Sequence, residues 1–500
     1  MSVPDDIAII GGGQSAKYVL LALAHAIVSG RLPSSLRVAV YEQGRQWGTG
    51  LAWSPEAVGD AHLSSLAAPS LRAEVGRQEG GRFEQIVAFL RSQGARVTTE
   101  LQTTIEVIEP AAEGWTLHGN RGPVPGARHV VLAIGHSAFA QKKPVDGVLH
   151  CPWPFAQLCA RVDAQVAQGG ARVLILGSYL TAVDVAVGLG ASAEAGQLHL
   201  SVLSGSGELP KVWGAPPPPL DVDALCQEVM REPIAQCRAQ GRLDLAAIER
   251  MILFAAFGEL HGTGASLAGK LQRLCAGEPG QRLKEDLREI EHGAVLAWQT
   301  GLFGGLPLLS EAFPTFSDCD KLRFLSLRSR YYRAAMPMAG ENARRLNALF
   351  EAGSLDVLAA PQGYRLIQDQ KHNVQYLEIQ DDAGNFLSVG EFDLVVAAAG
   401  SDVRLERTVS PLLRDLYERG LACSVYAQDA GKTVELGGIR VNPRTCEVVP
   451  AEEAAGPAEG SLFAIGPLLI GTYPDAQSVG HIARDAERIA ERLVALIARD

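Results

Sequence analysis

Residues 5–26 read DDIAIIGGGQSAKYVLLALAHA, and a strand, a glycine turn and a helix follow one another within them. Ile7 to Ile10 form a short apolar run suited to a parallel strand buried on both faces. Gly11, Gly13 and Ala16 match the spacing G-x-G-x-x-G/A. In that spacing Gly11 permits the tight turn, Gly13 lets backbone approach a pyrophosphate, and Ala16 lets the helix pack closely on the strand. Gly12, Gln14 and Ser15 complete the candidate phosphate loop. The start of the following helix offers free N–H groups and a positive dipole end to an anion.

The next apolar run, LRVAVYE (36–42), ends in Glu42. An acid there accepts hydrogen bonds from both ribose hydroxyls of an adenosine and disfavours a 2′-phosphate. FAD and NAD therefore both fit this site, and NADP does not. After Glu42 the loop QGRQWGTGLAW (43–53) adds Gln43, Gly48, Gly50 and Leu51 as candidate contacts, its glycines allowing backbone to wrap a bulky ligand. Two later apolar runs end in small residues: HVVLAIGH (129–136), with Gly135, and SLFAIGPLLIG (461–471), with Gly466. The second leads into a closing helix that begins at Ser478 and Val479.

A second strand–turn–helix is LILGSYLTAVDVA (174–186). Each unit is followed by β-rich sequence. The first has RVTTELQTTIEVIE (96–109) and GWTLHG (114–119). The second has SLDVLAA (354–360), YRLIQD (364–369) and VQYLEIQDDAGNFLSV (374–389), with DDAGN suited to a hairpin turn. The expected architecture is α/β: two Rossmann-like dinucleotide-binding domains, each completed by a meander, the second inserted in the first. The expected division is 1–145 and 401–500 for the first domain, 146–215 and 311–400 for the second, and 216–310 for a helical insertion. PPPP (216–219) opens the insertion as a stiff spacer, and KKPVDG (142–147) marks a crossing. LDLAAIERMILFAAF and LKEDLREIEHGAVLAW have helical apolar spacing.

These pieces together resemble the flavoproteins with two dinucleotide-binding domains of the glutathione-reductase type. They are most similar to the bacterial FAD–NAD(P)-binding proteins distantly related to flavin-containing monooxygenases and ornithine N-hydroxylases. The resemblance rests on IIGGGQSA, VYEQGRQWGTGLAW, VVLAIGH, LILGSYLTAVDVA, RFLSLRSRYYRAAMP, FDLVVAAAG and LFAIGPLLIG, which span nearly the whole chain in family order. It implies FAD at the first turn and a facing nicotinamide at the second. It also implies monooxygenase-like oxidation of a small amine or amino-acid-like substrate. Two other outcomes are an oxidase or dehydrogenase reduced by its own substrate, and a non-catalytic FAD-binding partner subunit.

The chain departs from the family at the second turn. Where relatives resemble GTGLTAVD, this sequence has Tyr179 in place of the second glycine, so a phenol stands where backbone meets pyrophosphate. At the next strand end relatives carry arginine for a 2′-phosphate, whereas SGSGELP (204–210) has Gly205 and Ser206, with Glu208 nearby. Loss of such a charge-assisted partner costs about 1.5–3 kcal/mol. NADPH is therefore disfavoured, and NADH, which needs no such arginine, less so.

Candidate catalytic side chains are few. His62, in AHLSSLAAPS, and His136 are expected near the flavin, and Arg330, among Arg323, Arg328 and Arg333, could meet a substrate carboxylate. The alternative for each is a satisfied polar residue or a salt-bridged helix face. The eight scattered cysteines form no C-x-x-C, which argues against zinc, iron–sulfur and disulfide-redox sites, and no metal is expected. A net charge of −11 without a basic run argues against nucleic acid. The apolar run YVLLALAHAIV is too short to span a bilayer, so no membrane partner and a cytoplasmic setting are expected.

Overall fold

The computed structural model describes residues 4–65, 68–138, 147–192, 196–216, 244–258, 266–372, 374–400, 402–429, 431–452 and 460–498. PPPP beyond Pro216 and KKPVDG before Gly147 lie outside the described residues.

Strand β1 (Asp5–Ile10) is fully buried at Ile7, Ala8 and Ile9, as an uninterrupted apolar run demands of a central parallel strand. It pairs in parallel with β2 (Arg37–Tyr41), which pairs in parallel with β3 (Arg96–Glu100). On the other side of β1, a meander of β4 (Ile105–Ala111), β5 (Gly114–Gly119) and β6 (Gly122–Leu132) joins the sheet. The long β6 does two jobs: its first half is antiparallel to β5, and its second half is parallel to β1. The chain then builds a separate sheet before returning as β17 (Leu462–Ala464), which lies parallel to β6.

That second sheet is wholly parallel. It comprises β7 (Val148–Leu149), β8 (Ala171–Leu176), β9 (Leu198–Ser204), β10 (Leu355–Ala359) and β14 (Leu394–Ala397), in the order β10-β9-β8-β14-β7. A meander of β11 (Tyr364–Asp369), β12 (Val374–Gln380) and β13 (Phe386–Phe392) accompanies it. The fold is thus α/β with two Rossmann-like sheets, the second inserted between β6 and β17. Asp381–Asn385 forms the expected hairpin between β12 and β13, its Asp381 carboxylate accepting from the Ala383 and Asn385 N–H groups. A further hairpin, β15 (Ser424–Asp429) with β16 (Lys432–Ile439), follows the second sheet.

Two strands differ from the sequence reading in the same way. RVTTE and LDVLA are not meander strands; they are β3 and β10, each the parallel neighbour of the strand before it. Each follows a crossover helix, Arg72–Ser92 or Gly340–Glu351, and the crossover sets its direction.

A helical layer occupies the interval between β9 and β10. It shares a core of Leu245, Ile248, Leu302, Leu306, Phe313, Phe324 and Tyr331, among others. The layer runs on past residue 310. Helix Ala297–Ala312 crosses that position, and the core includes Tyr331 and Tyr332 from helix Asp318–Ala335. LKEDLREIEHGAVLAW is not one helix: Pro279–Glu289 ends before His292 and Gly293, both in the left-handed region.

Candidate functional site

The first glycine turn opens into a cleft of about 490 Å³. The turn is geometrically determined. The Gly11 N–H bonds the Tyr41 carbonyl at 2.7 Å, and Gly11 sits at φ +103°, where a Cβ would stand 2.4 Å from the Ala133 oxygen. Only glycine fits there. Gly13 is the N-cap of helix Gln14–Val28, and no side chain caps that helix. Its first-turn N–H groups therefore face a cleft lined by Gly13, Gln14 and Ser15. Ala16 is fully buried between helix and sheet.

Glu42 stands beside this helix end. One carboxylate oxygen accepts from the Gly12 N–H and the other from the Gly44 N–H, both at 2.6 Å. Backbone thus fixes the orientation of an anion that lines the cleft. The loop after Glu42 is latched onto the turn: the Gly48 N–H bonds the Gly12 carbonyl, and the Gln14 amide donates to the Gly48 carbonyl. Trp47 stacks on Phe83 behind it, with centroids 4.9 Å apart. Gly13 and Gly50 pack backbone to backbone, since a Cβ on Gly13 would stand 3.3 Å from the Gly50 Cα, and a Cβ on Gly12 would strike the Trp47 ring at 2.6 Å. Gly11, Gly13 and Gly50 all line the cleft, so a pyrophosphate there would meet backbone rather than side chains. A buried ion pair of Lys17 with Glu79, which also meets Arg82, supports the loop from beneath.

Of the residues singled out from sequence, Gln43, Leu51, Gly135, His136 and Val479 also line the cleft. Gly12, Gly48, Gly466 and Ser478 stand behind its wall. A Cβ on Gly466 would stand 2.6 Å from the Ser15 Oγ, which brings the loop after β17 against the first helical turn. Ser478 caps the closing helix through the His481 N–H. Sequence reasoning missed other walls. Thr103, Thr104 and Ile105 come from the start of β4, and Ser410, Pro411 and Leu412 from a helix start some 300 residues later. Ser410 followed by Pro411 is a legible helix-start signal, but nothing local ties it to this cleft.

His62 does not line the cleft. It is buried, accepting from the Gly59 N–H at Nδ1 (2.9 Å) and facing the Asp184 carbonyl at Nε2 (3.1 Å). Trp153 and Phe155 meet it edge-on. Burial, with the Arg72 charge nearby, holds its pKa down to about 4. It is a neutral, buried contact between the first unit and the helix that follows the second glycine turn. The Asp184 carboxylate, in the second unit, pairs with Arg72 of the first at 2.8 Å.

The second glycine turn repeats the backbone of the first. The Gly177 N–H bonds the Leu203 carbonyl at 2.7 Å, and a Cβ at Gly177 would meet the Ala398 oxygen at 2.7 Å. Its surroundings differ. The Tyr179 hydroxyl donates to the Tyr332 and Met336 carbonyls at 3.2 and 3.0 Å, and its ring packs against the core of the helical layer. Arg330 pairs with Glu208 at 2.9 Å, away from the cleft. Arg333 donates to the Glu208 carbonyl, to Ser329 and to Ser178. Arg323 pairs with Glu249.

Among the described residues there is no group of three or more metal-ligating side chains, and no helix long and apolar enough to cross a membrane. No protein-family model and no curated protein matches the sequence. Solved structures do match. Ornithine hydroxylase from Pseudomonas aeruginosa, in its reduced form, superposes with a TM-score of 0.55 at 12% identity, covering 99% of this chain and 100% of that one. L-lysine 6-monooxygenase from Pseudomonas syringae gives 0.51 at 15% identity, again covering 99% and 100%. At such identities the likeness is one of fold: this chain has the two-dinucleotide-binding-domain flavoprotein fold from end to end.

Proposed function

We propose, from that shared fold and the first cleft, that this chain is an FAD-dependent oxidoreductase acting on a small amine or amino-acid-like molecule. The observation that carries the proposal is the pairing of Glu42 with the glycine-lined stretch of the cleft beside it. An acid held by two backbone N–H groups stands beside an uncapped helix start, and Gly13 and Gly50, packed backbone to backbone, line the cleft there. One part suits a ribose and the other a pyrophosphate. Residues 1–145 and 401–500 would form the FAD-binding part, and 146–215 with 311–400 the second nucleotide-domain framework.

Gly11, Gly13, Gln14 and Ser15 would hold the pyrophosphate, with Gly12 and the buried Ala16 shaping the turn from behind, and Glu42 would hold the ribose. Gln43, Gly48, Gly50, Leu51, Gly135, Gly466, Ser478 and Val479 would enclose the remainder. FAD, when bound, supplies two-electron redox chemistry; the chain's residues bind it, orient it and exclude water. His136, exposed on the cleft wall, is the candidate to meet substrate. The structural neighbours named above are, by their names, a hydroxylase of ornithine and a monooxygenase of lysine, so oxidation of an amine or amino-acid-like substrate is the chemistry proposed. A second reading, in which the substrate itself supplies the electrons, is favoured by Tyr179 at the second turn.

The test is the visible spectrum of the purified chain, before and after adding FAD, followed by anaerobic mixing with NADPH, NADH and candidate amines. Bound flavin that an amine bleaches supports the second reading, and bleaching by NADPH the first. A colourless chain that refuses added FAD removes the oxidoreductase proposal altogether.

A further inference from the structure

We propose that Tyr179 closes the second glycine turn to nicotinamide dinucleotides and makes that turn the socket of helix Asp318–Ala335. A dinucleotide on such a turn needs bare backbone at the position Tyr179 fills, and an open approach to the start of helix Leu180–Ser192. Here both are taken up by the chain. The Tyr179 ring joins the core of the helical layer, and its hydroxyl is held by two carbonyls at the end of the docked helix.

The polar arms around the turn are matched to one another. Ser178 is buried and its hydroxyl meets Ser204 and the Glu208 carbonyl, both at 2.8 Å. Arg333 reaches the same Ser178 hydroxyl at 2.9 Å and the Glu208 carbonyl at 3.0 Å. The Glu208 carboxylate, at the strand end where a phosphate-binding arginine would serve NADPH, is engaged by Arg330. Backbone continues the clamp beyond this cluster: the Lys211 N–H bonds the Arg333 carbonyl, and the Met338 N–H bonds the Lys211 carbonyl. A dinucleotide would have to break this set and leave its buried polar groups without these partners, or replace them all.

The proposal concerns the second turn alone and holds whether or not the first turn carries FAD. The experiment is calorimetric titration of the full chain with NAD⁺ and with NADP⁺, with FAD uptake recorded on the same preparations. The wild-type chain is expected to bind neither dinucleotide within the usual cofactor range. A dissociation constant below about 100 µM for either overturns the proposal. Tyr179→Gly is expected to gain at least tenfold in NAD⁺ affinity and to become cleavable by protease within residues 318–335. Tyr179→Phe keeps the ring and is expected to gain nothing. Equal gains in the two variants would show that the ring is not the plug and would overturn the proposal. If Tyr179→Gly does not fold, the wild-type titration and Tyr179→Phe still decide. Failure of the FAD reading shows separately, as a chain without flavin colour.

Discussion

The two glycine turns share a backbone and differ in what stands over it. Gly11 and Gly177 each donate at 2.7 Å to a carbonyl in the closing residues of a neighbouring parallel strand, Tyr41 and Leu203. Ala133 and Ala398 each donate at 2.7 Å to the carbonyl just before their turn. Both first glycines sit where a Cβ would strike a backbone oxygen. Two positions later the turns part: Gly13 lines the open cleft, while Tyr179 is anchored in a layer of helices. The first glycine therefore serves the fold and the second serves the ligand. A unit can lose the second and keep the first without losing its architecture.

Grafting the difference from one turn to the other is the most severe way to break the comparison. Gly13→Tyr forces a phenol onto the cleft wall where Gly13 packs on Gly50 and is expected to abolish FAD retention, weakening it by more than about 100-fold, equivalent to roughly 3 kcal/mol. The measurement is flavin absorbance of the purified variant, with circular dichroism to show that the fold persists. A variant that keeps full flavin content would mean that Gly13 does not face the phosphates.

The wall of the first cleft has its own buried network, and it predicts a pH effect. Burial pulls the His481 imidazole down, but Asp475 at 3.1 Å and Asp485 at 3.4 Å outweigh it and lift the pKa to about 9. Ser310 and Arg484 also face the ring, and Arg488 pairs with Asp485. Because the folded value lies above the unfolded one, this contribution is fully present below about pH 6.5 and is lost as pH rises through 9. The loss is on the order of 3 kcal/mol. Denaturant unfolding at pH 6.5 and 9.5 checks it, since His481→Gln should flatten the difference. An equal pH response in both chains would reject the assignment.

A smaller sharpening uses Glu42, whose counterpart at the second turn is the Ser204–Glu208 strand end. Glu42→Ala removes the acceptor for a ribose and releases the Gly12 and Gly44 N–H groups. FAD affinity should fall about 10- to 100-fold, the equivalent of about 1.5–3 kcal/mol for charge-assisted bonds. Fluorescence titration of the flavin-free chain reads this directly, and an unchanged affinity would place the ribose elsewhere.

The contrast between the turns also marks what was legible in the sequence. The strand, turn and helix at 5–26 are contiguous, so local spacing sufficed, and Glu42 follows at the end of the next strand. β3 and β10 were legible as strands but not as parallel ones, because a five-residue strand carries no sign of its partner's direction. Thr103 to Ile105 and Ser410 to Leu412 reach the cleft through tertiary packing, and their residue types are ordinary loop and helix-start residues. Tyr179 was conspicuous as a departure, but its fate depended on Tyr332 and Met336, some 150 residues away. His62 was legible as a polar residue near the first unit, and only the fold brought Asp184 to its other side.

Tyr179→Phe is the mildest change and asks which part of the tyrosine makes the socket. The ring packs with apolar neighbours of the helical layer, whereas the hydroxyl serves the Tyr332 and Met336 carbonyls. The Tyr332 carbonyl keeps a second donor, the Met336 N–H at 2.8 Å, so the deletion strips only the Met336 carbonyl of this partner. The expected cost is about 1 kcal/mol, the ordinary net worth of one hydrogen bond. Hydrogen exchange should show it as faster opening confined to the last turn of helix Asp318–Ala335. Faster exchange throughout that helix would mean that the hydroxyl, rather than the ring, holds the helix over the second turn.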